Sequence, residues 1–235
     1  MSRLIIMSGG AAQGLVTQAA SAFKEHTGFD IEGEFGAVGI MADKLRSGVP
    51  ADLVILTAAL VARLAVEGLV AASSIQDVGV VETALAVRKG DPLVSATNAD
   101  ELRGAFVAAG AIFVPDTRAS TAGIHVANVL QRLGIADAVT PSLKIYPNGA
   151  TAMRHLAASD AARPLGCTQS TEIISTEGVV PSGALPDGYE LKTMYTAAVM
   201  TGAKNAAQAA ALIDFLTAAE ARTARSRAGF IGVPA

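Results

Sequence analysis

Phe35-Gly36-Ala37-Val38-Gly39-Ile40-Met41-Ala42-Asp43-Lys44-Leu45-Arg46-Ser47-Gly48-Val49-Pro50-Ala51-Asp52 reads as a strand end, a tight turn of small residues, an amphipathic helix and a glycine stop. Pro50-Ala51-Asp52 then leads into the apolar strand Leu53-Val54-Ile55-Leu56. A small-residue turn that opens a helix leaves backbone N–H groups pointing outward, with the positive end of the helix dipole behind them. Such a turn is a seat for an anion. The chain builds this unit several times, and the repetition decides the fold class.

Upstream, Leu4–Met7 is a short buried strand, and Leu15, Ala19 and Phe23 mark one face of a helix that Thr27-Gly28 stops. Phe29, Ile31, Gly33 and Phe35 alternate as a strand, and Thr57 is placed to cap a helix from Ala58 to Glu67. Downstream, Val80–Val87 is a longer strand-like run closed by Lys89-Gly90-Asp91-Pro92. A second series follows. It comprises a helix around Leu102 begun by Asn98 or Asp100, the strand Ala111–Val114, and a helix capped by Thr121 with Val126, Val129, Leu130 and Leu133 on its apolar face. The strand Leu143–Tyr146, the helix Ala150–Ala158 and the strand Leu165–Thr168 continue it, and Leu191–Met200 is another long strand ahead of Ala-rich helices.

Strands alternating with helices predict an α/β fold with mixed or parallel sheets flanked by helices. The two long runs bracket a middle block. They predict a first lobe of residues 1–82 plus 193–235 and an inserted lobe of 83–192, with the two crossing strands as hinge. A ligand is then expected in a cleft between lobes, outside the carboxyl ends of the strands.

The 235 residues carry a net charge of −3, no tryptophan and no basic patch with interleaved aromatics, which argues against nucleic-acid binding. Apolar runs reach about 10 residues, short of the roughly 20 that span a bilayer, so no membrane insertion is expected. The single cysteine, Cys167, excludes an internal disulfide framework and Cys-rich zinc sites, and it reads as an inert buried thiol. His26, His125 and His155 share no metal-ligand spacing, and no metal or other cofactor is expected. Met1-Ser2-Arg3 runs straight into Leu4 without a secretory leader. The chain is therefore expected in the cytoplasm if Met1 is native, and in the periplasm if a leader has been removed.

Four strand-to-helix turns carry the candidate chemistry. The first is Ser8-Gly9-Gly10-Ala11, whose glycine spacing matches neither a dinucleotide fingerprint nor a phosphate-binding P-loop. The second is Ala37-Val38-Gly39. The third runs from Asp116 to Gly123 and holds Arg118, Ser120, Thr121 and Ala122; an arginine there can pair with a carboxylate in a two-pronged fork. The fourth is Asn148-Gly149-Ala150-Thr151, with Gln169 close behind. Each glycine turn is also ordinary α/β punctuation, Ser120 and Thr121 are also helix caps, and Arg118 is also a solvated surface residue. No catalytic residue is assigned by spacing; Asp116, His125 and His155 are the acid/base candidates for an enzyme reading.

Taken in order, several segments resemble the periplasmic molybdate-binding family of ABC-transporter solute-binding proteins. They are Ala22–Gly28, Phe35–Asp52, Val87–Pro92, Thr121–Gly134, Pro164–Gly166 and Phe215–Phe230, and the resemblance covers nearly the whole chain. It implies a two-lobed type 2 periplasmic-binding fold that holds a small anion with backbone N–H groups and a few hydroxyls, and a permease partner if the protein is exported. Carried over by position, the cleft includes Gly10, Ala11, Ala37, Val38, Ala122, Ala150 or Thr151, and Gln169. The family's Ala-Ala-Ser stands here as Gly9-Gly10-Ala11, its Ser-Ser as Ala37-Val38, and its tyrosine as Gln169. Each lost hydroxyl removes a charged hydrogen bond worth roughly 1.5–3 kcal/mol, so the expected ligand is an organic carboxylate rather than molybdate. An aconitate isomerase is similar to this family, which makes isomerisation of a polycarboxylate in the same cleft the enzyme alternative.

Overall fold

Two compact units make up the computed structural model, which describes residues 2–232. The first contains residues 2–81 and 193–232; the second is the continuous run 82–192. The chain begins with β1 (Ser2–Gly9), one 3-10 turn (Gly10–Ala12) and α1 (Gln13–Thr27), then β2 (Phe29–Gly36), α2 (Val38–Arg46), β3 (Leu53–Thr57) and α3 (Ala58–Val66). β4 (Gln76–Arg88) carries it into the second unit. There follow α4 (Ala99–Ala108), β5 (Ile112–Pro115), α5 (Thr121–Arg132), α6 (Ala136–Val139), β6 (Leu143–Tyr146) and α7 (Gly149–Ala157). The unit is completed by β7 (Leu165–Gln169), α8 (Ser170–Ile174) and β8 (Val179–Ala184). β9 (Lys192–Val199), α9 (Ala206–Thr217) and α10 (Arg222–Arg227) close the chain.

In the first unit β1 lies between β2 and β3, parallel to both, and β9 runs antiparallel on β3. All five residues of β3 are buried, as a strand covered on both faces requires. Gly28, at φ 77°, ends α1 in the left-handed region, and its N–H donates to Lys24 O. Asp52 ties the start of β3 to two distant segments. Its Oδ2 accepts the Ile5 N–H (2.9 Å) and the Asn205 carboxamide (3.1 Å), and its Oδ1 accepts the Asn205 N–H (2.9 Å). Arg225 is buried, and its guanidinium donates to Leu216 O (2.6 Å) and Ala218 O (3.0 Å). It places positive charge at the negative end of α9.

In the second unit β5 lies between β6 and β7, parallel to both; β4 is antiparallel to β7, and β8 is antiparallel to β4. Side chains alternate across this sheet with the period of two that strands impose. Leu85, Val87, Ile112 and Val114 face a core with Leu102 and Phe106 of α4 and Val126 and Val129 of α5. Ala84, Ala86, Ala111 and Phe113 face the opposite core with Ala152, Met153 and Leu156 of α7. Cys167 lies fully buried in the first of these cores, and burial pushes its thiol up to about 12. An aromatic disulfide reagent is expected to leave the native protein unlabelled and to modify one thiol after denaturation. Rapid labelling of native protein would contradict the inert assignment.

The mixed α/β class is as the sequence predicts, with sheets flanked by helices. Several element readings need correction. Thr121 is the first residue of α5 and Ser120 holds the cap position, yet no side chain caps that helix. Thr57 occupies the cap position of α3 without a side-chain bond. β4 begins at Gln76 rather than Val80, and α8 and β8 have no counterpart in the sequence reading.

Candidate functional site

Because β1, β2 and β3 are parallel, the helices that follow them start at one edge of the first sheet. The Gly10–Ala12 turn leading into α1, α2 after Ala37 and α3 after Thr57 all lack a side-chain cap. Their first N–H groups are the unsatisfied donors of helix starts. Gly9, Gly10, Ala11, Ala37 and Val38 are buried there, and Gly39 is half-buried. Ser8 is buried too, but its hydroxyl donates to Gly9 O at 2.9 Å, so this hydroxyl is already used. A Cβ on Gly9 would stand 2.6 Å from Val38 Cγ1 and 2.9 Å from the Tyr195 ring. Glycine is what lets those two side chains close over the turn.

In the second unit, β5, β6 and β7 are likewise parallel, and α5, α7 and α8 follow them. The loop before α5 is held by Asp116, whose Oδ1 accepts the N–H groups of Arg118 (2.7 Å) and Ala119 (2.8 Å). Ser120 and Thr121 are half-buried and Ala122 is buried. Arg118 is exposed, and no carboxylate pairs with its guanidinium among the described residues.

The start of α7 differs from what the sequence predicts. Asn148 is its cap, accepting the Thr151 N–H at 2.8 Å, and the Thr151 hydroxyl accepts from Arg154 at 2.9 Å. The N–H groups of Gly149 and Ala150 donate to the carboxylate of Glu172, together with that of Gln169 and, at 2.6 Å, the Thr168 hydroxyl. Burial pushes the Glu172 carboxyl upward, outweighing these bonds, which favour its charged form. The anion seat expected at Asn148, Gly149, Ala150 and Thr151 is therefore filled by the protein's own carboxylate. Glu172 lies 23 residues away in sequence from Gly149, so only the packing of α8 against α7 reveals the pairing.

Gln169 ends β7 opposite Thr83 of β4 in the register. It is 2% exposed, and both its carboxamide oxygen and nitrogen lack a partner; the same holds for the hydroxyls of Thr83 and Thr171. Buried polar atoms are nearly always hydrogen-bonded, so such a group of orphans marks a place that needs an outside partner. Thr171 lies in the Thr168–Thr171 stretch noted in sequence beside the fourth turn, whereas Thr83 was not singled out. The Thr83 hydroxyl gains meaning only from the pairing of β4 with β7.

The acid/base candidates are all engaged elsewhere. Asp116 holds its own loop, His125 Nε2 lies 2.7 Å from Tyr189 O, and His155 stacks on Tyr146 at 4.2 Å. Among the described residues no group of three or more His, Cys, Asp or Glu is placed to hold a metal ion. No described helix is long and apolar enough to cross a membrane.

The model of the bacterial extracellular solute-binding protein family matches residues 4–231. The chain belongs to that family. This solute-binding protein is 26% identical to an aconitate isomerase from a Pseudomonas species, over 100% of the chain and 90% of the relative. It is 25% identical to the molybdate-binding protein ModA of Escherichia coli K12, over 97% and 88%. The periplasmic molybdate-binding protein of Azotobacter vinelandii shares the fold of this solute-binding protein, with a TM-score of 0.82 at 18% identity over 99% and 100% of the two chains.

Proposed function

We propose that this solute-binding protein takes a small organic carboxylate in preference to a tetrahedral oxyanion, and serves a transport permease. The observation that carries the reading is the missing hydroxyl set at the helix starts of the first unit. The Ser8 hydroxyl is spent on Gly9 O, and Ala37 and Val38 have none. At the starts of α1 and α2 backbone N–H groups then act without a side-chain hydroxyl, which suits the two oxygens of a carboxylate better than the four of molybdate or sulfate. In the second unit Arg118, without a carboxylate partner and just ahead of the start of α5, offers a cation with which a carboxylate can pair.

A thermal-shift screen against molybdate, tungstate, sulfate, phosphate and a set of di- and tricarboxylates tests this. A ligand at about 100 times its Kd adds roughly 2.7 kcal/mol. Carboxylates are expected to give the largest shifts, and a shift confined to molybdate or sulfate overturns the reading. Arg118→Ala is expected to weaken carboxylate binding by about 10- to 100-fold, the worth of one charged hydrogen-bonding partner. Unchanged affinity would remove Arg118 from the site.

The full-length similarity to an aconitate isomerase favours one second reading, isomerisation of a polycarboxylate by the same residues. It requires an acid/base group in reach of the substrate carbon. Proton NMR of aconitate with the protein decides it: new product signals establish turnover, and an unchanged spectrum leaves a binding protein.

A further inference from the structure

The partnerless carboxamide of Gln169 constrains what the ligand must be. A carboxamide carries two N–H donors and one acceptor oxygen, and both ends are orphaned here, whichever way the group is turned. An oxyanion offers acceptors only. Fully ionised carboxylate, sulfate or molybdate would satisfy the nitrogen and leave Gln169 Oε1 buried without a donor. The flanking Thr83 and Thr171 hydroxyls do not fill that role, since neither hydrogen-bonds Gln169. The N–H groups of Gly149, Ala150 and Gln169 itself are taken by Glu172. A ligand that carries its own donor would satisfy Gln169 Oε1.

From this donor–acceptor inventory we propose that the ligand is a hydroxycarboxylate, whose hydroxyl donates to Gln169 Oε1 while its carboxylate accepts from N–H donors. The proposal rests on the carboxylate reading above and narrows it. Thr83 and Thr171 complete the arrangement, because each hydroxyl can donate to the ligand's oxygen or accept from its hydroxyl. A site built to bond a hydroxyl rejects an analogue lacking it, since the site's own polar groups are then left unpaired.

Titration calorimetry on matched pairs tests this with the wild-type protein: malate against succinate, and citrate against tricarballylate. The hydroxylated member of at least one pair is expected to bind about 10- to 100-fold more tightly. Gln169→Met, which keeps the volume and removes the hydrogen bonds, is expected to bring the two members of that pair within about threefold of each other. If carboxylates bind but the hydroxyl makes no difference in wild type, the hydroxyl inference is overturned and the carboxylate reading stands. If no carboxylate binds while molybdate or sulfate does, both fall. If Gln169→Met keeps the wild-type preference, another group reads the hydroxyl and the assignment to Gln169 is overturned.

Discussion

Asp52→Ala is expected to cost about 3–5 kcal/mol of stability, since it removes the acceptor of several hydrogen bonds from a buried residue. The carboxylate is 3% exposed and bonds the backbone N–H of Ile5 in β1, the backbone N–H of Asn205 at the start of α9, and the Asn205 carboxamide. Its removal leaves the two backbone donors without their acceptor. Burial alone would raise the Asp52 carboxyl, but the N–H groups of Ile5, Asn205 and Lys204 and the Asn205 carboxamide together hold it below its ordinary value. A carboxyl lowered on folding contributes stability that is present above its unfolded pKa, near 4, and is lost as pH falls through the folded value. Glu172 is raised instead, so its contribution has the opposite sense and declines as pH rises above the ordinary carboxylate range. Denaturant unfolding of wild type and Asp52→Asn, near neutral pH and at about pH 3, separates the two. The difference between them should be large at neutral pH and shrink in acid. A difference that does not change with pH would mean that Asp52 acts by shape rather than by charge.

Gly149→Ala is expected to be strongly destabilising in the second unit. A Cβ there would stand 1.9 Å from Glu172 Oε2 and 2.2 Å from Thr168 Oγ1, far inside van der Waals contact. Relief requires the carboxyl group to move off the N–H groups of Gly149 and Ala150, which leaves both a buried polar group and a helix start unsatisfied. The cost should reach about 3 kcal/mol or more, and a melting point lowered by roughly 10 °C. Gly104→Ala in α4 is the control. Nothing lies within 4 Å of its Cβ position, so replacing a helical glycine should stabilise by about 0.5–1 kcal/mol. Opposite signs for the same substitution are the expected result, measured by thermal unfolding. Equal effects would show that the Glu172 contact does not constrain Gly149.

The elements that were legible in sequence are those whose pattern is local. Strand β2, helix α2 and strand β3 each announce themselves through alternation, an amphipathic face and an apolar run between turn residues. Asn98 could be named in advance as a helix start, since its side chain bonds the Glu101 N–H three residues on. The site was less legible, because what occupies a helix start depends on partners far away in the chain. The turn at Asn148–Thr151 has the composition of an anion seat, but its Gly149 and Ala150 N–H groups are taken by the Glu172 carboxyl. Gln169 was named through the family resemblance. That its carboxamide is buried and unpaired follows only from the pairing of β7 with β4. The cap read at Thr121 was misplaced: Thr121 is the first helical residue, and Asp116, not a hydroxyl, closes that loop.

The discontinuity of the first unit has a consequence for how the protein is made. β3 receives its antiparallel neighbour only when Lys192–Val199 has been synthesised, and Asp52 waits for Asn205, 153 residues later. The second unit is one uninterrupted stretch and can complete its core while the ribosome is still at work. During that interval one edge of the nascent Leu53–Thr57 ribbon is bare and apolar, the kind of surface that pairs with strangers. Chaperone dependence and aggregation in this protein should therefore track the speed at which its last forty or so residues emerge, a vulnerability set by chain connectivity rather than by the strength of any contact.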